Sequence, residues 1–291
     1  MAGGWFLLFL LAAALYAVHA VTGLVRLYRP GGPGTIGRWW ALVAAILAHT
    51  AFLVARGLET GTLPVESRLD SLALFLWVTA VVFLAAGRPY RLKGVAPLFW
   101  VLFAAGAMAA LALASREPAP RAALARFWLV LHLVPVYVGY AGFAAAAGAG
   151  ATYLVQERLL RRKAVGPLWR KLPSLETLER VDRLALALGF PMLTVGLAVG
   201  VFWAERNVGL LGRAWYADPK VVGGIVVWLF YAAVLHVRLF ARLRGRRAAL
   251  LTIAGFILTL ASFATVHLYG SARGPAEAGA PRPADIRAGT R

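Results

Sequence analysis

The chain has 291 residues, 61% of them apolar and only 15% charged, with a mean hydropathy of +0.72, whereas a soluble domain averages about 45–50% apolar and about 25% charged. Its formal net charge is +19 and it has no cysteine, which excludes disulfides, thiolate metal sites and thiol nucleophiles supplied by the chain itself. No stretch is long and polar enough to gather the basic residues on a water-exposed domain, so nucleic-acid binding is excluded too, and the chain reads as an integral membrane protein.

A hydrocarbon core of about 30 Å takes roughly 20 helical residues per crossing. In chain order the apolar runs that meet this length are 4–25, 39–55, 69–86, 95–114, 127–155, 184–204, 221–240 and 248–268. Each is bounded by Arg/Lys or by punctuation such as Arg29-Pro30-Gly31-Gly32-Pro33 and Gly87-Arg88-Pro89. The first lacks a basic leader and is too long for the apolar segment of a signal peptide, so it is taken as a span. Between the fifth and sixth runs, Pro173-Ser174 followed by Leu175, Leu178, Val181 and Leu184 predicts a capped amphipathic helix on the inner membrane face. Residues 271–291 are rich in Ala, Gly, Pro and Arg without apolar period, which predicts a disordered tail. The expected fold is all-α: one polytopic domain over residues 1–270 with eight transmembrane helices and a short amphipathic cytoplasmic helix.

Basic residues orient the bundle. The loops after spans one, three, five and seven carry 19 of the 31 Lys and Arg, which places those loops in the cytoplasm and both termini outside. The positive charge is thereby explained as a topology signal and as contact with anionic lipid. The loop 156–183 becomes the place where a cytosolic partner would dock. No internal repeat, Walker-type phosphate loop or strand-linked GxGxxG is found, so nothing points to an inverted-repeat transporter.

Ionisable groups inside a membrane are costly and mark candidate sites. Four of the five histidines, His49, His132, His236 and His267, stand well placed for metal ligation. At 1.5 Å per residue, His132 lies roughly 9 Å below the outer boundary counted from Arg126, and His267 roughly 5 Å below it counted from Gly270. These two match in depth. His49 is about 16 Å deep and His236 about 24 Å, a disagreement of roughly 8 Å. The competing reading for each is a buried imidazole hydrogen-bonded to a neighbouring helix, which is the reading taken for His19. Ala45, Gly139 and Ala232, one or two turns from His49, His132 and His236, leave room for a bulky ligand but suit close helix packing equally.

The outer loop from Phe202 to Lys220 concentrates aromatic and basic side chains. Trp203, Trp215 and Tyr216 are either interfacial anchors or faces for a flat hydrophobic ligand, with Arg213 and Lys220 for its carboxylates. A porphyrin with two propionates has that chemistry.

Four stretches together resemble the CcsA/HemX-type cytochrome c assembly proteins, tryptophan-rich haem-handling membrane proteins. They are His49 with Gly61-Thr62-Leu63-Pro64 and Leu69-Asp70-Ser71-Leu72; His132, Tyr140 and Phe143; Trp215 and Asp218-Pro219-Lys220 with Trp228, Tyr231, Leu235-His236 and Arg238; and Val266-His267-Leu268-Tyr269-Gly270. The resemblance implies that His132 and His267 are axial ligands of haem iron at the outer surface, beneath a cofactor-binding loop containing Trp203, Arg213, Trp215, Tyr216, Asp218 and Lys220. It implies that His49 and His236 hold haem b within the membrane. Leu211, Ala217 and Val221 depart from the CcsA pattern and point to the HemX-like branch. The function implied is presentation of haem to an apocytochrome c outside a bacterial cytoplasmic membrane, with a partner membrane subunit. In this reading the chain is no enzyme alone but is suited to be a subunit of a cytochrome c haem lyase. The alternatives are a HemX-like regulator of an early tetrapyrrole-synthesis enzyme and a solute transporter without haem.

Overall fold

In lipid no water is present to satisfy backbone N–H and C=O groups, so an apolar run must close its hydrogen bonds within itself. A computed structural model describes residues 4–28, 35–61, 68–87, 126–163, 172–211 and 214–269, with Gly166 and Trp169. They form seven long helices: α1 (Gly4–Tyr28), α2 (Thr35–Thr60), α3 (Arg68–Gly87), α4 (Arg126–Arg161), α5 (Leu175–Arg206), α6 (Pro219–Phe240) and α7 (Gly245–Tyr269). One helical turn at Val208–Leu211 and a 3-10 turn at Trp215–Ala217 lead from α5 into α6. Among the described residues there is no strand, and six helices are long and apolar enough to cross a membrane, with Leu69–Ala85 of α3 a shorter apolar helix. The protein is an integral membrane protein of all-α class. The expected fourth span, 95–114, and the expected disordered tail lie outside the described residues.

Contacts between side chains give the directions of the helices. Trp77 of α3 donates its indole N–H to Thr50 Oγ1 of α2 at 2.9 Å, and Arg56 grips Asp70 through two bonds of 3.0 Å each, so α2 and α3 are antiparallel. Tyr137 of α4 donates to Ser71 Oγ of α3 at 3.3 Å, while Tyr140 meets Phe75 edge-on at 6.4 Å. Both numbers rise together, so α3 and α4 run parallel, and the end of α3 and the start of α4 lie at opposite ends of the bundle. The remaining neighbours, α4 with α5, α5 with α6 and α6 with α7, are antiparallel.

The α4–α5 seam brings two backbones close together. A Cβ on Gly139 would stand 2.9 Å from the Gly189 carbonyl oxygen and from Leu193 N, and one on Gly142 would stand 2.9 Å from the Ala185 carbonyl oxygen. Only glycine permits this spacing, as small residues do generally where helices pack without a hydrophobic driving force. The buried core follows the seam: Tyr140, Phe143, Leu186, Leu193, Val227 and Tyr231, with Phe143 stacked on Tyr231 at 3.6 Å. A second buried set on α1 and α2 includes Ala12, Ala13, Tyr16, Ala45 and Ile46.

Two expectations are corrected. The segment from Leu175 is no separate surface helix but the opening turns of α5, which continues unbroken through the sixth span to Arg206. Ser174 does cap it, its hydroxyl accepting from Thr177 N at 3.3 Å. Nothing between Arg183 and Leu184 breaks the helix, and Leu178, Val181 and Asp182 are buried against neighbouring helices. The loop expected at 156–183 is correspondingly short, because α4 reaches Arg161 before it and α5 begins at Leu175.

Candidate functional site

At one end of the bundle α4 begins and α5 ends. His132, one and a half turns into α4, turns its Nδ1 to the Gly196 carbonyl of α5 at 2.7 Å. A carbonyl oxygen only accepts, so Nδ1 carries the proton, and in neutral His132 Nε2 is left as a lone pair. No hydrogen bond to Nε2 occurs among the described residues. The ring also lies on Gly200, where a Cβ would come within 2.7 Å of both Cε1 and Nδ1. Gly196 and Gly200, one turn apart, therefore form a flat seat on α5. Ligating histidines habitually hand their second ring N–H to a carbonyl or carboxylate in this way.

α7 also packs on α4, toward the other end of the bundle. A Cβ on Gly150 of α4 would lie 3.1 Å from the Ala249 carbonyl oxygen of α7. Tyr231, stacked on Phe143 of α4, also presses on Gly255 of α7, with its Cζ 2.8 Å from where a Cβ would be. These contacts place α4 and α7 antiparallel. Residue 132 is 18 positions from Gly150, and residue 267 is 18 positions from Ala249. Both therefore rise about 27 Å above one crossing at 1.5 Å per residue. The backbone of α7 brings residue 267 to the level of His132; the side chain of His267 lies outside the described residues.

Aromatic groups surround this end. Trp128, one turn above His132, packs on Phe202 at 5.6 Å, and the Arg206 guanidinium sits 4.3 Å over the Phe202 ring. Trp203 is half-buried, with its carbonyl accepting from Asn207 Nδ2 at 2.8 Å. Trp215 and Tyr216 meet edge-on at 6.3 Å, and Tyr216 is 63% exposed. Lys220 is exposed. Asp218 caps α6, its carboxylate accepting from Lys220 N at 2.8 Å, so its structural task is to start the helix that follows the aromatic loop. Arg213 lies outside the described residues.

The other two histidines are apart from this group and are not enclosed together. His49, in α2, is 1% exposed and boxed by Phe9, Tyr16 and Phe52. His236 stands on the exposed face of α6, its ring against Phe240 at 4.5 Å. Counted from the ends shared with Thr60 and Pro219, their levels differ by roughly 9 Å. α2 packs chiefly on α1 and α3, and α6 on α7 and α5. Among the described residues no group of three or more His, Asp or Glu is arranged to hold a bare metal ion. His19 is buried at 7% exposure and is engaged with neighbours.

Several residues of the site were not singled out in the sequence. Gly196 and Gly200 form a GxxxG pair in an apolar run, a readable packing signal. Trp128 and Phe202 carried no signal beyond their closeness to the interface. At the other end of the bundle, Asp182, which was not singled out, pairs with Arg238, one of the residues that carry the resemblance; each is 6% exposed, the pair joins α5 to α6, and Arg238 also donates to Thr252 Oγ1 of α7 at 3.1 Å. The signal there was a carboxylate and a guanidinium standing in two otherwise apolar runs.

The sequence matches the family described as Cytochrome C assembly protein over residues 7–272. It is 31% identical to the cytochrome c biogenesis protein CcsA of Parasynechococcus marenigrum (strain WH8102), covering 92% of both chains. It is also 31% identical to the CcsA protein of Synechococcus sp. (strain CC9902), over 82% of this chain and 85% of that one. For the CcsA protein of Thermosynechococcus vestitus the identity is 30%, with shares of 79% and 83%. These relatives give no support to the HemX-like leaning taken from Leu211, Ala217 and Val221. The match runs through all seven helices: the chain belongs to the cytochrome c assembly protein family, as a CcsA-type member.

Proposed function

We propose that this chain receives haem as its cargo and presents it at the His132 end of the bundle for attachment to an apocytochrome c. The observation that carries the reading is the His132 imidazole: protonated at Nδ1 by its bond to the Gly196 carbonyl, seated on Gly200, and level with residue 267 of α7. Two neutral imidazoles on opposed helices suit the two axial positions of a haem iron. Trp203, Trp215 and Tyr216 supply faces for the macrocycle, and Lys220 with Arg213 would meet its propionates. Trp128 and Phe202 wall the same end. With no cysteine of its own, the chain contributes haem and orientation, and the thiols come from the apocytochrome.

The basic residues support the matching topology. Arg158, Arg161, Arg162, Lys163, Arg242, Arg244, Arg246 and Arg247 crowd the end opposite His132, which orients that end to the cytoplasm. The His132 end, with both termini, then faces outward from a bacterial cytoplasmic membrane. His49 and His236 are read as intramembrane stations for haem b. A site shared by both requires an arrangement different from the one found, in which His49 is enclosed and His236 faces out.

Co-expression with a partner membrane subunit and an apocytochrome bearing Cys-x-x-Cys-His tests this reading. Covalent haem staining of the cytochrome is expected with the wild-type chain and is expected to be lost with His132→Ala. Undiminished staining in that variant, at equal protein level, would overturn the assignment.

A further inference from the structure

Arg206 is the last residue of α5, at the end of the bundle where His132 stands. Its guanidinium carbon lies 4.3 Å from the centre of the Phe202 ring, and Phe202 packs on Trp128 at 5.6 Å, one turn from His132. Contact therefore runs from the start of α4 across to the arginine head group. The His132 ring rests on Gly200, and Arg206 follows Gly200 by six residues, so its backbone stands about 9 Å further out along the helix. That rise is comparable with the reach of a porphyrin from its iron to its propionate carboxylates.

Arg56, Arg161, Arg183 and Arg238 each face a carboxylate, Asp70, Glu157, Glu179 and Asp182 in turn. Among the described residues Arg206 has no carboxylate within ion-pair distance, and its guanidinium donates no hydrogen bond. The end of α5 does not need it as a cap, because Asn207 takes that place. The Asn207 side chain donates to the Trp203 carbonyl at 2.8 Å and its backbone N–H to the Ala204 carbonyl at 3.1 Å. Nor is Arg206 a topology signal in the orientation proposed above, since those collect at the cytoplasmic end. It is a guanidinium steadied by a ring face, with a fork of uncommitted N–H donors that matches a carboxylate.

We infer that Arg206 is a specificity-determining residue of the His132 site: its guanidinium pairs with one propionate of the haem and so selects a porphyrin with free carboxylates. Phe202 holds the head group in place, and Trp128 joins that support to the helix that carries His132. Lys220 and Arg213 are left for the second propionate. The inference rests on the haem-handling reading above.

The experiment titrates the full chain in detergent with iron protoporphyrin and, separately, with its dimethyl ester, which keeps the ring and the iron but lacks the two charges. The Soret band reports binding. Arg206→Gln is expected to weaken iron protoporphyrin about tenfold or more, the worth of one hydrogen-bonded charge pair, and to leave the ester unchanged. His132→Ala is expected to weaken both ligands alike. Equal loss of both ligands in Arg206→Gln would make the residue a packing element, and loss of neither would make it an anchor in the lipid headgroups; each result overturns the inference. Arg206→Met takes the place of Arg206→Gln if that variant does not accumulate, with the same outcomes. Binding of both ligands that His132→Ala leaves unchanged would overturn the haem site itself, and the role of Arg206 with it. Binding that depends on His132, with Arg206→Gln failing to separate acid from ester, would overturn the role of Arg206 alone.

Discussion

Gly200→Ala is a one-carbon test of the seat beneath His132. The added Cβ would lie 2.7 Å from His132 Cε1 and Nδ1, where ordinary contact begins at 3.4 Å. The ring must therefore withdraw by about 0.7 Å or α5 must tilt away, because close-packed interiors do not absorb such an overlap. Withdrawal along the bond direction lengthens the 2.7 Å link from Nδ1 to the Gly196 carbonyl beyond the range of a good N–H···O bond, about 3.2 Å. The lost bond costs about 0.5–1.5 kcal/mol, and overpacking adds about 1–3 kcal/mol. Once the carbonyl no longer fixes the proton at Nδ1, Nε2 spends part of its time protonated and unable to bind a metal. Haem content per chain, with the reduced-minus-oxidised spectrum, is expected to fall about 10-fold or more. Gly4→Ala, whose Cβ meets nothing within 4 Å, serves as the control and is expected to change neither. Wild-type haem content and an unchanged spectrum in Gly200→Ala would refute the reasoning.

Asp182→Ala strands the Arg238 guanidinium inside the bundle, where each partner is 6% exposed; a loss of about 3–5 kcal/mol is expected in unfolding from detergent micelles, and Asp182→Ala/Arg238→Met is expected to recover part of it. A single variant as stable as wild type would show that the pair does not tie α5 to α6. Arg56→Lys keeps the charge but loses the two-pronged grip on Asp70, so its stability should fall between wild type and Arg56→Met; equal stability of all three contradicts that role. Ser174→Ala removes the cap of α5 and should cost about 1 kcal/mol, read by the same unfolding assay. A reporter active only in the cytoplasm, fused after residue 270, is expected to stay silent, and a strong signal would reverse the orientation of every helix.

Much of the helix pattern was legible because lipid allows few alternatives: an apolar run of span length must be a helix, and its ends show as charge or Gly/Pro. Boundaries were read short at α2 and α4, whose polar end turns continue to Thr60 and Arg161 because helix hydrogen bonding does not stop where hydropathy does. The same effect fused the expected amphipathic segment to α5: its polar side chains signalled a surface, while Leu178, Val181 and Asp182 pack inward. Depth counts brought His132 and His267 to one level, and the Gly150–Ala249 crossing supports the same level from inside the bundle. What no count along the chain supplied was direction around the helix axis. α6 is apolar on all sides, so nothing in its periodicity tells that Tyr231 is buried while His236 is exposed. The tautomer of His132 and the neighbour of His49 depend on atoms brought from other helices, Gly196 and Tyr16, and become visible only in three dimensions.

The most direct measurement is the absorption spectrum of the detergent-purified chain, oxidised and dithionite-reduced, compared with that of the His132→Ala/His267→Ala double variant at equal fold stability. A Soret band with split reduced bands in the wild type, lost or shifted in the double variant while His19→Ala leaves it unchanged, is the expected result. Equal haem content and superimposable spectra in wild type and double variant would contradict an outer bis-histidine site and return both residues to helix packing.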